Sequence, residues 1–180
     1  MTGLKLYQLA VTLVLLFALS KTTKVQAQVA DIGDISELNG SAQIVREKPL
    51  QAKLKFAIQS NDEAITTDGR MAITFLDDST VKLTEHSQLI IDEYIYDPDP
   101  SKAKMALTFG LGTARFITGS FNRIDKQNIS LKTPTANIAI RGTDFTATVD
   151  ELGRSLIILL PDALGLSSGE IEVVTAMGTV

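Results

Sequence analysis

The chain has no cysteine, no tryptophan, one histidine and five prolines in 180 residues. Without Cys there is no disulfide framework, no thiolate zinc site, no Cys nucleophile and no lipidated amino-terminal Cys. The single His, His86, excludes a multi-His metal centre and leaves a Ser-His-Asp triad only one place to form. It stands in the polar run Thr84-Glu85-His86-Ser87, which reads as a solvated turn. Basic residues are also short: Lys+Arg 17 against Asp+Glu 21 gives a formal charge of −4, with no basic block anywhere. Nucleic acid is therefore not expected as a partner.

Long apolar runs are missing too, except at the amino end. Lys5 precedes an apolar run from Leu9 to Leu19, and Val25-Gln26-Ala27 offers small residues to a signal peptidase. That order is the order of a secretory signal peptide, and the run falls short of the ~20 residues of a bilayer span. Cleavage after Ala27 is expected, the alternative being an uncleaved anchor. It leaves 180 − 27 = 153 residues; three Lys and no acid depart, so the charge becomes 14 − 21 = −7. Residues 28–180 are thus expected to form one acidic, exported domain, periplasmic or secreted, with no transmembrane segment. About two-thirds of the unfolded surface of such a chain can be buried in one core, so disulfides are not needed.

What is abundant is strand patterning. Met71–Leu76 and Thr80–Thr84 alternate around Asp77-Asp78-Ser79, with Met71, Ile73, Phe75, Val81 and Leu83 on one face, which predicts a hairpin. Leu89–Tyr96 continues the alternation until Pro98 and Pro100 interrupt it, so residues 97–103 form a loop. Further strands are expected at Lys104–Phe109, Thr113–Thr118, Asn128–Lys132, Ala136–Arg141, Thr143–Val149, Ser155–Leu160 and Glu170–Thr175. Strand signals begin at residue 40, and Glu47–Ile58 has room for a helical turn.

A faint repeat links Gly40–Val45, Gly112–Ile117 and Gly169–Val174, each Gly, polar, apolar, polar, apolar, apolar. Their spacings, 112 − 40 = 72 and 169 − 112 = 57, exclude equal coils. The fold class is all-β: an irregular β-solenoid or a sandwich-like stack of short strands and hairpins. At the carboxyl end Gly178 reads as a turn and Thr179-Val180 as the start of a strand too short to pair, which fits either a natural stop or a truncated chain; in the truncated case Glu170–Thr175 is expected to be an unprotected edge.

Carboxylates come in close pairs, Asp77/Asp78, Asp92/Glu93, Asp97/Asp99 and Asp150/Glu151. A glycosidase needs two carboxyls across a cleft, whereas adjacent strand residues point to opposite faces. Hairpin turns and solvated edges are the expected places for them. Calcium ligation by Asp92, Asp97 and Asp99 lacks the spaced Asp/Asn-Gly pattern of known loops. No catalytic, cofactor or metal residue is assigned.

The most distinctive segment runs from Thr133-Pro134-Thr135-Ala136 into Ile140-Arg141-Gly142-Thr143-Asp144-Phe145. Gly142 breaks the alternation, so a bulge or corner is expected there, with Arg141 and Asp144 close enough to pair or to satisfy freed backbone groups. The alternative has Arg141 facing a ligand anion. Arg141, Gly142, Thr143, Asp144 and Phe145 are the candidate motif residues, in a structural role.

That segment, with Asp68-Gly69-Arg70, Leu76–Val81, Tyr96-Asp97-Pro98 and Gly112–Gly119, resembles the FecR domain family over about residues 40–175. The resemblance implies an all-β, non-enzymatic domain on the outer side of the cytoplasmic membrane. In the regulators that name the family, this region belongs to the periplasmic part that senses a TonB-dependent outer-membrane receptor and signals to a sigma factor. Here no cytoplasmic domain and membrane span precede it, so the resemblance implies a stand-alone interaction or sensing module. Its expected partner is another envelope protein or a cell-surface polysaccharide. The alternative from a different class is a carbohydrate-active enzyme on a β-solenoid, which would need carboxylates converging in a groove.

Overall fold

The structure is a computed structural model that describes residues 30–97, 99, 101–119, 128–141, 144–161, 164–166 and 169–179, with the backbone alone at 141 and 179. The expected signal peptide over 1–27, Pro98, Pro100, Gly142, Thr143, the Arg141 side chain and Val180 lie outside the described residues.

The described chain holds fifteen strands and no helix. In order they are β1 (Asp31–Asn39), β2 (Ala42–Val45), β3 (Pro49–Gln51), β4 (Ala57–Gln59), β5 (Glu63–Thr66), β6 (Arg70–Phe75), β7 (Thr80–Leu83) and β8 (Gln88–Ile95). They continue with β9 (Lys104–Ile117), β10 (Ile129–Lys132), β11 (Ala136–Arg141), β12 (Asp144–Val149), β13 (Ser155–Leu159), β14 (Glu170–Thr175) and β15 (Gly178–Thr179). All belong to one curled sheet, antiparallel except where β9 and β10 run parallel.

β9 organises the curl. Its carboxyl half pairs with β7 and β12, completing a first half-sheet in the order β4-β1-β6-β7-β9-β12-β13. Its amino half pairs with β8 and β10, completing a second in the order β3-β2-β5-β8-β9-β10-β11-β14-β15. The sequence predicts two strands here because the apolar period slips: Met105, Leu107 and Phe109 are buried, then Ala114 and Phe116. The odd-to-even change is absorbed without ending the strand. β8 skips register opposite it, between Gln88↔Leu111 and Leu89↔Phe109, and Gly112 takes φ +93°. An L-side chain rarely adopts that angle, whereas glycine does so at little cost.

The inward faces share one core, with Ile35, Ile44, Ile58, Ile73, Leu89, Ile91, Phe109 and Phe145 all at zero exposure. The predicted β6–β7 hairpin forms in the expected register, Met71↔Leu83 and Ile73↔Val81, with its five apolar residues buried. Asp78 at the tip has φ +66°, which a short polar side chain tolerates.

Three expectations are corrected. β1 precedes residue 40; its polar residues mask the alternation, yet Ile32 and Ile35 reach the core. Glu47–Ile58 holds β3 and the first residues of β4 rather than a helical turn, with Lys55 at φ +63° between them. At the other end β15 does pair, Val174↔Thr179 and Thr175↔Gly178, so β14 lies between β11 and β15 and is not an edge. Two residues suffice because the Thr175 hydroxyl bonds to Gly178 O and accepts from Met177 N, closing the turn.

Candidate interaction surface

Of the close carboxylate pairs, one member is not where the sequence suggests. Asp77 is 1% exposed, not solvated. Its carboxylate accepts from Tyr94 Oη at 2.9 Å, from Ser79 N at 3.3 Å and from the Ser79 hydroxyl, while its own N–H donates to Tyr94 Oη at 3.1 Å. β6 and β8 belong to opposite half-sheets, so this network ties one to the other across the core. Phe75 stacks on the Tyr94 ring beside it, centroids 5.2 Å apart. Burial, followed by the Asp77 charge, raises the Tyr94 hydroxyl well above the usual tyrosine range.

The other carboxylates are exposed or half-exposed and mostly engaged. Asp92 accepts from Thr108 Oγ1 at 2.7 Å, Glu93 meets Lys104 Nζ at 2.6 Å, and Asp97 and Asp99 fold the 97–103 loop through turn hydrogen bonds. Asp150 accepts from the Arg154 side chain and from the N–H groups of Leu152 and Arg154, which hold it below the ordinary carboxylate range. Asp78 and Glu151 are exposed in turns. His86 has φ +53° in a turn and lies 3.9 Å from Asp68, both exposed. Among the described residues no three His, Asp or Glu side chains gather as metal ligands.

Two arginine sites were not legible. Arg46 grips Asp62 with two bonds of 2.7 Å; Asp62 is fully buried and also accepts from Gln59 N at 2.8 Å. Sequence distance hid the pair, since Arg46 ends up next to β2 and Asp62 next to β5, neighbours only after folding. The second involves the motif. Asp144 opens β12 and is held in a two-bonded pair by Arg115 of β9, with Nε–Oδ1 at 2.9 Å. The expected Arg141–Asp144 contact and the corner at Gly142 and Thr143 fall outside the described residues; the strands on either side belong to different half-sheets. Phe145 is in the core, stacked on Phe116 at 4.9 Å, with Phe116 edge-on to Phe109 at 6.0 Å.

Arg115 belongs to a row that crosses the outer face of the first half-sheet. Successive cross-strand partners are Glu37, Ala72, Lys82, Arg115, Thr146 and Ile158. Lys82 spans the small Ala72 to reach Glu37 at 2.8 Å. From Glu37 to Thr146 the row lines a cleft of about 470 Å³, whose other walls include Leu38, Arg70, Leu83, Thr84 and Thr113. No aromatic ring lines it.

The row ends at β13, where character changes. Leu156 and Ile158 are 59% and 48% exposed, and most exposed large apolar side chains fall between Leu152 and Met177. The described chain thus combines a curled all-β scaffold, an outer face that carries the Glu37–Lys82 and Arg115–Asp144 ion pairs, and an apolar edge. The model of the FecR protein family matches residues 61–160, from the start of β5 to the end of β13, and the chain belongs to that family. No curated protein and no solved structure matches it. No helix among the described residues is long and apolar enough to cross a membrane.

Proposed function

We propose that this chain is a non-enzymatic interaction and sensing module of the FecR type, periplasmic or secreted, that binds another protein of the cell envelope. The observation that carries the reading is the family match across β5–β13, which also contributes Ala72, Lys82, Arg115, Thr146 and Ile158 of the outer-face row and the exposed Leu156 and Ile158 of β13. A protein is favoured over a surface polysaccharide because the cleft offers no ring on which a sugar face would stack. The alternative of a carbohydrate-active enzyme is disfavoured by the state of the carboxylates. Glu37 and Asp144 beside the cleft are ion-paired and Asp77 is sealed in the core, whereas hydrolysis needs two carboxyls aimed at one sugar. The two half-sheets are read as facing layers of a sandwich, because Phe75 and Tyr94 meet between them.

Affinity capture from the native envelope with the tagged, natively processed protein tests this. The expected result is one envelope protein enriched reproducibly over a control. Turnover of envelope polysaccharide that is lost on Glu37→Gln or Asp144→Asn would overturn it.

A further inference from the structure

We infer that β13 is a self-association edge, at which two copies of this chain pair Ser155–Leu159 antiparallel about a two-fold axis through Ile157. The inference goes beyond the envelope-partner reading and does not depend on it.

Sheet edges are ordinarily blunted against such pairing by short strands, Pro, charge or bulges. Among the described strands three of the four edges follow that rule: β3 has three residues and begins with Pro49, β4 has three and β15 has two. β13 has five, with no Pro, no Gly and no charge, and among the described strands it pairs with β12 alone.

Its main-chain groups are aimed for a partner. Asp150 N donates to Arg154 O at 3.1 Å, and Leu160 N donates to Asp144 O at 2.8 Å. Bonded and non-bonded pairs alternate along an antiparallel ladder, so Leu156 and Ile158 bond back to Thr148 and Thr146 of β12. Ser155, Ile157 and Leu159 then direct their N–H and C=O groups to the open side.

The side chains make the strand its own complement. A two-fold axis at Ile157 sets Ile157 opposite its copy, Leu156 opposite Ile158 and Ser155 opposite Leu159. The outward apolar stripe is one strand wide, because the β12 neighbours of Leu156 and Ile158 are threonines. A second copy adds the matching stripe beside it, while half-buried Ile157 and Leu159 extend the core face. The seam carries no charge; the nearest cation, Arg154, is tied to Asp150 at 2.6 Å, so the net negative charge of the chain opposes association only from a distance. Five residues bury less than the ~1,200–2,000 Å² of stable complexes, so the dimer is reversible.

The natively processed protein, which has no other Cys, is tested by sedimentation and by single-Cys oxidation. Sedimentation over about a hundredfold range of concentration is expected to show a monomer–dimer equilibrium. Ile157→Cys should oxidise to a covalent dimer, since directly opposite Cα atoms lie ~5.5 Å apart, within disulfide reach. Ile158→Cys, offset by two residues from its own copy, should cross-link far less. Leu156→Lys/Ile158→Lys, on the exposed face, should leave the urea midpoint unchanged and weaken dimerisation about tenfold or more by setting like charges opposite each other. A monomer at every concentration, or equal cross-linking at 157 and 158, overturns the inference. A monomer that still captures an envelope protein leaves the proposed function standing, and a dimer that captures none does the reverse.

Discussion

Lys82 and Arg115 stand directly opposite each other on β7 and β9, two cations on one face, and each turns away to its own carboxylate, Glu37 or Asp144. Like charges in that position destabilise a sheet. The carboxylates therefore do more than form two surface ion pairs: they let the cations be neighbours.

Glu37→Gln is expected to lower stability by about 0.5 kcal/mol, a small value because both members of the pair are well exposed. The effect is electrostatic and should shrink in high salt. Urea unfolding at low and at molar salt checks this; equal losses in both would show that the pair does not shield Arg115.

Tyr94→Phe keeps the stack on Phe75 but removes the hydroxyl that Asp77 uses twice. Leaving buried polar groups short of partners costs about 1–3 kcal/mol. The sign with pH follows from the raised Tyr94 value. A raised folded pKa gives stability that is complete below the unfolded value of about 10 and is lost as pH rises beyond it. Denaturation followed from pH 8 upward should therefore show an alkaline loss that is smaller in Tyr94→Phe.

Arg46→Met strands the Asp62 carboxylate inside the fold, with the Gln59 N–H still donating to it. A loss of about 3 kcal/mol is expected. Arg46→Met/Asp62→Asn should recover part of it, since the buried charge is gone. Calorimetry on the wild type and both variants decides; a double variant less stable than the single one would show that Asp62 does not need its charge matched.

Gly112→Ala meets two obstacles at once. Its φ is +93°, and an added Cβ would sit 2.2 Å from Ser87 Oγ and 2.6 Å from Ser87 Cα. Left-handed strain and overpacking each cost about 1–3 kcal/mol. A loss of ~3 kcal/mol or more in urea unfolding is expected, and an unchanged midpoint would mean that residue 112 needs neither the left-handed backbone nor the close approach to Ser87.

These sites mark where the sequence could and could not be read. Alternation is a local property, so the β6–β7 hairpin and the strands from β10 to β14 emerge from spacing and turn residues alone. β1 escapes because Asp34, Ser36 and Glu37 dilute the pattern over a strand only partly buried. β9 reads as two strands because a bulge imitates a break. The Glu37–Ala72–Lys82–Arg115–Thr146 row gathers five strands, and no spacing rule connects residues 109 positions apart, from 37 to 146. Asp77 shows the same limit from the other side, since a turn carboxylate is expected in water and only the distant Tyr94 makes its burial tolerable.

The shared strand also sets an order of events as the chain is made. Synthesis runs from the amino end, so β7 and β8 leave the ribosome before Lys104–Ile117, the segment that must lie beside both. Until residue 117 has emerged, each half-sheet ends in a bare strand, and the nascent chain carries two sticky margins at once. Neither half can reach its final state and wait for the other. Closure of the whole domain is held to the arrival of one fourteen-residue stretch.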